Sequence, residues 1–135
     1  MRESSWKDEI LSKAVEKLRE KYRLHAVILF GSRARGDHKP WSDYDLLIIA
    51  DFSERYLERF SQLFEVLDPK IEPHPYTLEE AIEMLKKGNV TIVDAIEEGI
   101  VLFSDESFEE LIKVYEDLKR RGMRRSKVSI VLPEV

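Results

Sequence analysis

A chain of 135 residues suits one domain, one that buries roughly two-thirds of its extended surface, and the lack of cysteine excludes a disulfide framework and a thiolate metal site. Net charge −5, with 36% charged residues of both signs, argues against a nucleic-acid scaffold, which carries a basic stripe and a high pI. No apolar run approaches the ~20 residues of a membrane span, and Met1-Arg2-Glu3 opens no signal peptide, so the expectation is a soluble, cytoplasmic protein.

In chain order, Ser4 or Ser5 can cap a helix to about Tyr22, with Trp6, Ile10, Ala14 or Val15, Leu18 and Tyr22 at helical spacing. The runs Ala26–Phe30 (AVILF) and Leu46–Ala50 (LLIIA) are short and apolar on both faces, the pattern of strands buried in a sheet. Asp51 or Ser53 then offers a cap for a helix to about Leu67, with Tyr56, Leu57, Phe60, Phe64 and Leu67 as its apolar stripe. Residues 70–76 read as a third strand, with Glu72, His74 and Tyr76 on one face and Ile71 on the other. Pro73 and Pro75 cannot donate to a ladder, which puts this strand at an edge or breaks it early. Thr77 opens a T-L-E-E capping box for a helix to about Lys87, and Gly88 stops it. A second short helix, Val90–Glu98, ends at Gly99, and Ile100–Phe103 reads as a short strand. Asp105 or Ser107 caps a last helix to about Arg121, carrying Phe108, Leu111, Ile112, Tyr115 and Leu118, with Gly122 beyond its end. Residues 127–132 form either a final strand or an ordered tail.

The chemistry concentrates between the first two apolar runs, in Gly31–Leu46 (GSRARGDHKPWSDYDL). Asp43 and Asp45 stand two apart at the start of a strand, so both carboxylates point the same way, roughly 7 Å apart along the backbone. No cation at matching spacing neutralises them, and Mg²⁺ prefers carboxylate oxygens beside phosphates and waters. Two such ions about 4 Å apart could be bridged by the pair. Read as a turn instead, Ser42 and Asp43 cap backbone groups and Asp45 is merely solvated. Gly31, at the end of a buried strand, lets the backbone turn sharply and a ligand approach closely. Ser32 adds a hydroxyl at a helix start, and Arg33 and Arg35 add charge suited to phosphate. A phosphate cradle beside a carboxylate pair is the equipment of phosphoryl or nucleotidyl transfer.

The pattern G-S-x-A-R-G-x(5)-S-D-x-D-L resembles the signature of the DNA polymerase β-like nucleotidyltransferase superfamily. It is most similar to the minimal nucleotidyltransferases, small domains often paired with HEPN-domain proteins. The resemblance implies a single nucleotidyltransferase domain over residues 1–135, an α/β fold with a small mixed sheet and helices packed mainly on one face. It implies Asp43 and Asp45 as metal-binding and catalytic residues, and Gly31, Ser32, Arg33 and Arg35 as nucleotide-binding ones. The family also carries a third metal-facing carboxylate, commonly aspartate, on the neighbouring strand. Glu72 is the candidate here, as metal ligand or as general base toward an acceptor hydroxyl, and an edge-strand surface glutamate is the other reading. By resemblance the donor is ATP with Mg²⁺, and the acceptor is a hydroxyl on a HEPN-domain partner. A contact-only antitoxin and a small-molecule nucleotidyltransferase are the alternatives, and homo-oligomerisation stays open.

Other features point less far. His25, His38 and His74 share no metal spacing, and Trp41 could stack on a nucleobase or serve packing. Lys119-Arg120-Arg121 with Arg124, Arg125 and Lys127 forms the one basic cluster, read as a solvated helix end or as a partner or phosphate contact. Neither G-x-x-x-x-G-K-[ST] nor G-x-G-x-x-G occurs, which removes P-loop and Rossmann readings. The acidic balance disfavours a polynucleotide acceptor.

Overall fold

The computed structural model describes residues 2–3, 8–126 and 129–133. Its elements begin with β1 (Arg2–Glu3), α1 (Glu9–Lys21), β2 (Leu24–Phe30), the one-turn α2 (Ser32–Arg35), β3 (Tyr44–Ala50) and α3 (Tyr56–Val66). They continue with β4 (Ile71–Tyr76), α4 (Leu78–Lys86), α5 (Val90–Glu98), β5 (Ile100–Ser104), α6 (Phe108–Arg120), β6 (Arg124–Arg125) and β7 (Ile130–Val131). The main sheet has the order β1-β5-β2-β3-β4, antiparallel where β2 meets β3 and β5, and parallel at β3–β4 and β1–β5. β6 and β7 pair separately, so the C-terminal segment contributes a strand at Ile130–Val131.

Alternation along the two central strands builds two cores. Val27, Leu29, Leu46 and Ile48 face α1 and α3, packing on Leu11, Ala14, Leu18 and Leu63. Ala26, Ile28, Leu47 and Ile49 face α4, α5 and α6, packing on Leu85, Ile92, Ile96 and Leu111. The mixed-sheet α/β expectation therefore holds, but the helices cover both faces instead of mainly one. Strands apolar on both sides require that.

Most helix boundaries follow from caps. Asp8 Oδ1 accepts from the N–H groups of Ile10 (2.8 Å) and Leu11 (3.3 Å), so α1 starts there, while Trp6 and the expected caps Ser4 and Ser5 lie outside the described residues. The Thr77–Glu80 capping box is present, and Gly88 ends the chain's turn out of α4 at φ +75°. Helix α3 departs from expectation in both start and phase. It opens at Tyr56 with no side-chain cap, and its buried residues are Arg59 and Leu63. Leu57 and Phe64, assigned to the apolar stripe, are 80% and 61% exposed.

Arg59 turns α3 that way. Its guanidinium is buried, forks onto Glu80 (Nη1–Oε1 2.7 Å, Nη2–Oε2 3.1 Å), and donates to the carbonyls of Pro75 (3.0 Å) and Glu54 (3.0 Å). β4 is the outer strand, as its two prolines require. Among the described residues, no helix is long and apolar enough to cross a membrane.

At the sheet end remote from Gly31, a bulge between Leu24 and Ala26 sets buried His25 between two carboxylates. Nδ1 lies 2.7 Å from Asp105 Oδ2 and Nε2 lies 2.7 Å from Asp51 Oδ1. Carboxylates accept, so both contacts need an N–H and the ring is an imidazolium. Burial opposes that charge, but the hydrogen bonds to Asp105 and Asp51 outweigh it and raise the His25 pKa above 6.5. The contribution to stability is therefore complete below about pH 6.5 and lost as pH rises through the raised folded value. Urea unfolding of wild type and His25→Gln at pH 6 and pH 9 should show a stability difference that shrinks at the higher pH. A difference independent of pH would sink the charged-histidine assignment.

Candidate active site

Gly31 ends β2 at φ 76°, ψ −158°, a conformation essentially confined to glycine. Space forbids a side chain as well, since a Cβ there would sit 2.5 Å from Asp45 Oδ2. The bare backbone thus lies directly against the Asp45 carboxylate, which the β2–β3 register sets beside Phe30. Ser32 follows immediately as the first residue of α2, and the N–H groups of Ala34 and Arg35 close that turn on the Gly31 carbonyl (3.1 Å each).

The parallel β3–β4 register places Glu72 beside Asp45 and His74 beside Leu47. One ligand atom from each of Asp45, Glu72 and His74 lies within 4.8 Å of the others. His74 Nε2 is 3.4 Å from Asp45 Oδ1, and the His74 ring packs edge-on against Phe30 with centroids 5.0 Å apart. Burial alone would raise the Asp45 pKa, but hydrogen bonds with His74 and Glu72 bring it below its ordinary value. Glu72 moves the other way, raised by its hydrogen bond to Asp45, by burial, and by the charges of Asp45 and Asp43.

Asp43 is exposed, one residue before β3, and reaches this cluster through its field on Glu72. Arg35 lowers Asp45 from a distance while its guanidinium pairs with Glu98 (3.1 Å) and Asp37 (3.2 Å). The donor set fits a divalent cation. Carboxylates from adjacent strands converge with an imidazole, and the missing Gly31 side chain leaves the approach to Asp45 open.

Arg33 is not brought to this cluster. Nε donates to the Ser42 carbonyl (2.9 Å), Nη2 to the Pro40 carbonyl (3.3 Å), and the guanidinium stacks 4.1 Å over the Tyr44 ring. It pins the loop on both sides of Trp41, whose side chain is 80% exposed and so serves no packing role. Tyr44 in turn donates to Asp8 Oδ2 (2.9 Å), tying the start of β3 to the cap of α1. His74 is the residue that sequence spacing passed over. Its i+2 relation to Glu72 was visible, but the neighbouring Asp45 is supplied by strand pairing. The basic cluster is largely neutralised, with Lys119 on Glu97, Arg120 and Arg121 on Asp117, and Arg125 on Asp94, while Lys127 lies outside the described residues.

Known proteins resemble this chain in sequence and in fold. The family model described as "Nucleotidyltransferase domain" matches residues 11–124. The Methanocaldococcus jannaschii protein named "Putative protein adenylyltransferase MJ1379" is 37% identical over 60 residues, 44% of this chain and 58% of that protein. MJ1215, of the same organism and description, is 34% identical over 67 residues, 47% of this chain and 78% of its own. The chain thus spans little more than half the length of the first relative. A crystal structure of a toxin–antitoxin with AMP-PNP superposes with TM-score 0.52 at 18% identity, covering 82% of this chain and 87% of that one. At that identity the likeness is one of fold.

Proposed function

The chain belongs to the nucleotidyltransferase domain family, and from that premise we propose that it transfers AMP from ATP to a hydroxyl on a protein partner. The observation that carries this reading is the convergence of the Gly31 backbone and Glu72 on Asp45, at the ends of adjacent strands. Asp43, Asp45 and Glu72 would hold Mg²⁺, as one ion or two, and the bound metal supplies charge neutralisation on the phosphates. Gly31 and Ser32 position the triphosphate, with the charge of Arg35 behind them; Arg33 acts by holding the loop that carries Asp43. The acceptor oxygen bonds to the α-phosphorus as the bond to the bridging oxygen breaks, and pyrophosphate leaves. The hydroxyl proton passes to Glu72, the carboxylate that the β3–β4 register sets beside Asp45. Exposed Trp41, two residues from Asp43, is available to stack on the nucleobase.

The partner we favour is a helical HEPN-domain protein, with this chain as the antitoxin of the pair. Support comes from the motif resemblance and from the toxin–antitoxin structure that shares the fold. A docked partner would supply the open wall of the cleft and exclude competing water. Incubation with labelled ATP, Mg²⁺ and the protein that co-purifies with the chain tests the proposal. The partner should gain one AMP on tyrosine, serine or threonine, and turnover with ATP alone should be slow or absent. A partner that binds tightly yet stays unmodified, with the site residues intact, would make the chain an antitoxin by contact.

A further inference from the structure

We propose that His74 is a direct ligand of the divalent cation, bringing an imidazole nitrogen to the ion beside Asp45 and Glu72, so that the site prefers a first-row transition ion such as Mn²⁺ over Mg²⁺. The inference rests on the metal-dependent reading above and adds to it a nitrogen ligand and a metal preference. Four features of the site carry it.

Glu72 and His74 alternate with Pro73 on β4, so both side chains leave the same face of the sheet, the face onto which Asp45 projects from β3. The three ligand atoms already lie within 4.8 Å of one another. Adjacent ligands on one ion, each bonded at about 2.1 Å, stand about 3 Å apart, and opposite ligands about 4 Å. The 3.4 Å between His74 Nε2 and Asp45 Oδ1 suits two adjacent positions, and small side-chain rotations bring Glu72 into place. The His74 ring is also held: it is partly buried and braced against Phe30, so little side-chain freedom remains to be lost on binding. Finally, oxygen donors alone suit Mg²⁺, whereas an imidazole nitrogen favours first-row transition ions, among which Mn²⁺ is the one that also suits carboxylate oxygens.

The test reads metal binding by the whole, nucleotide-free protein. Titration with Mn²⁺, followed by loss of the free-ion EPR signal, should give a bound ion that Mg²⁺ displaces poorly. Electron spin echo spectra of that ion should carry ¹⁴N modulation from a coordinated imidazole. His74→Ala should lose the modulation and bind Mn²⁺ at least about tenfold more weakly, the least that losing even an outer-shell partner costs, with Mg²⁺ affinity little changed and circular dichroism as wild type. His38→Ala, in the exposed loop after α2, should keep both signals. Bound Mn²⁺ without ¹⁴N modulation, or a Mn²⁺-to-Mg²⁺ preference unmoved by His74→Ala, overturns the inference. Should His74→Ala not fold, His74→Gln provides the same comparison with a similar volume. The two proposals fail separately: Mg²⁺-supported transfer with no ¹⁴N modulation removes His74 and leaves the transferase. Modulation without transfer to any co-purified protein leaves the ligand set and removes the proposed reaction.

Discussion

Asp45→Asn should reduce nucleotidyl transfer roughly a thousandfold, the loss expected when about 4 kcal/mol of transition-state charge stabilisation is withdrawn. Asp45 is the carboxylate on which the other site features converge. Gly31 abuts it without a side chain, Glu72 pairs with it across β3–β4, and His74 reaches it from the same strand as Glu72. Asparagine keeps the shape and one oxygen but removes the charge that would hold a cation between the strands. Stability should move little. Two neighbouring carboxylates suggest that removing one relieves repulsion, yet the lowered Asp45 pKa means its ionised form is favoured in the folded protein by His74 and Glu72. Those opposing effects leave an expected change within about 1 kcal/mol. Labelled transfer to the co-purified partner at saturating Mg²⁺, with thermal melts alongside, measures both. Wild-type transfer by Asp45→Asn would remove this residue from the metal site.

The largest effect on stability is expected at Glu80. Arg59 is 4% exposed, and its charge is matched by Glu80 through two hydrogen bonds. The pairing holds the Glu80 carboxyl below its usual range, with the Thr77 N–H bond adding to it. Glu80→Ala leaves a guanidinium buried without its counter-charge and also opens the α4 capping box. Breaking a buried pair from one side costs about 3 kcal/mol at the low end of the usual range, because the Pro75 and Glu54 carbonyls still accept from Arg59. The thermal midpoint should fall by roughly 10 °C for a domain of this size. Arg59→Met in the Glu80→Ala background should restore part of the loss, since no unmatched charge then remains inside. A Glu80→Ala midpoint within about 2 °C of wild type would show that the pair contributes nothing.

What was legible in the sequence was local. The apolar runs at Ala26 and Leu46, the turn at Gly31, the two aspartates and the Thr77 capping box each carry their geometry in neighbouring residues. The doubly apolar strands carry the reason for helices on both faces, yet the expectation was cover mainly on one. What escaped was set by partners far along the chain. Arg59 turns α3 inward because Glu80, 21 residues on, is presented at the start of α4, and no helical periodicity contains that information. The aromatic spacing of Tyr56, Phe60 and Phe64 indicated the opposite face. His74 joins Asp45 through a parallel register formed across α3. Arg33 resembled a phosphate ligand by proximity to Gly31, while its actual partners are carbonyls in a loop whose path the sequence does not state.

The two prolines of β4 bear on how the protein behaves at high concentration. Within a strand residue, N–H and C=O point to the same side, and the Pro75 carbonyl is turned outward to Arg59. The donors missing at Pro73 and Pro75 are therefore missing from the free margin of the sheet, while the ladder to β3 keeps the N–H groups of Glu72, His74 and Tyr76. A strand from another molecule arriving at this margin finds no N–H at two successive outward positions and a carbonyl already occupied. The strand that carries Glu72 and His74 is thus protected against sheet-extending aggregation and strand exchange, although it lies at the open rim of the sheet.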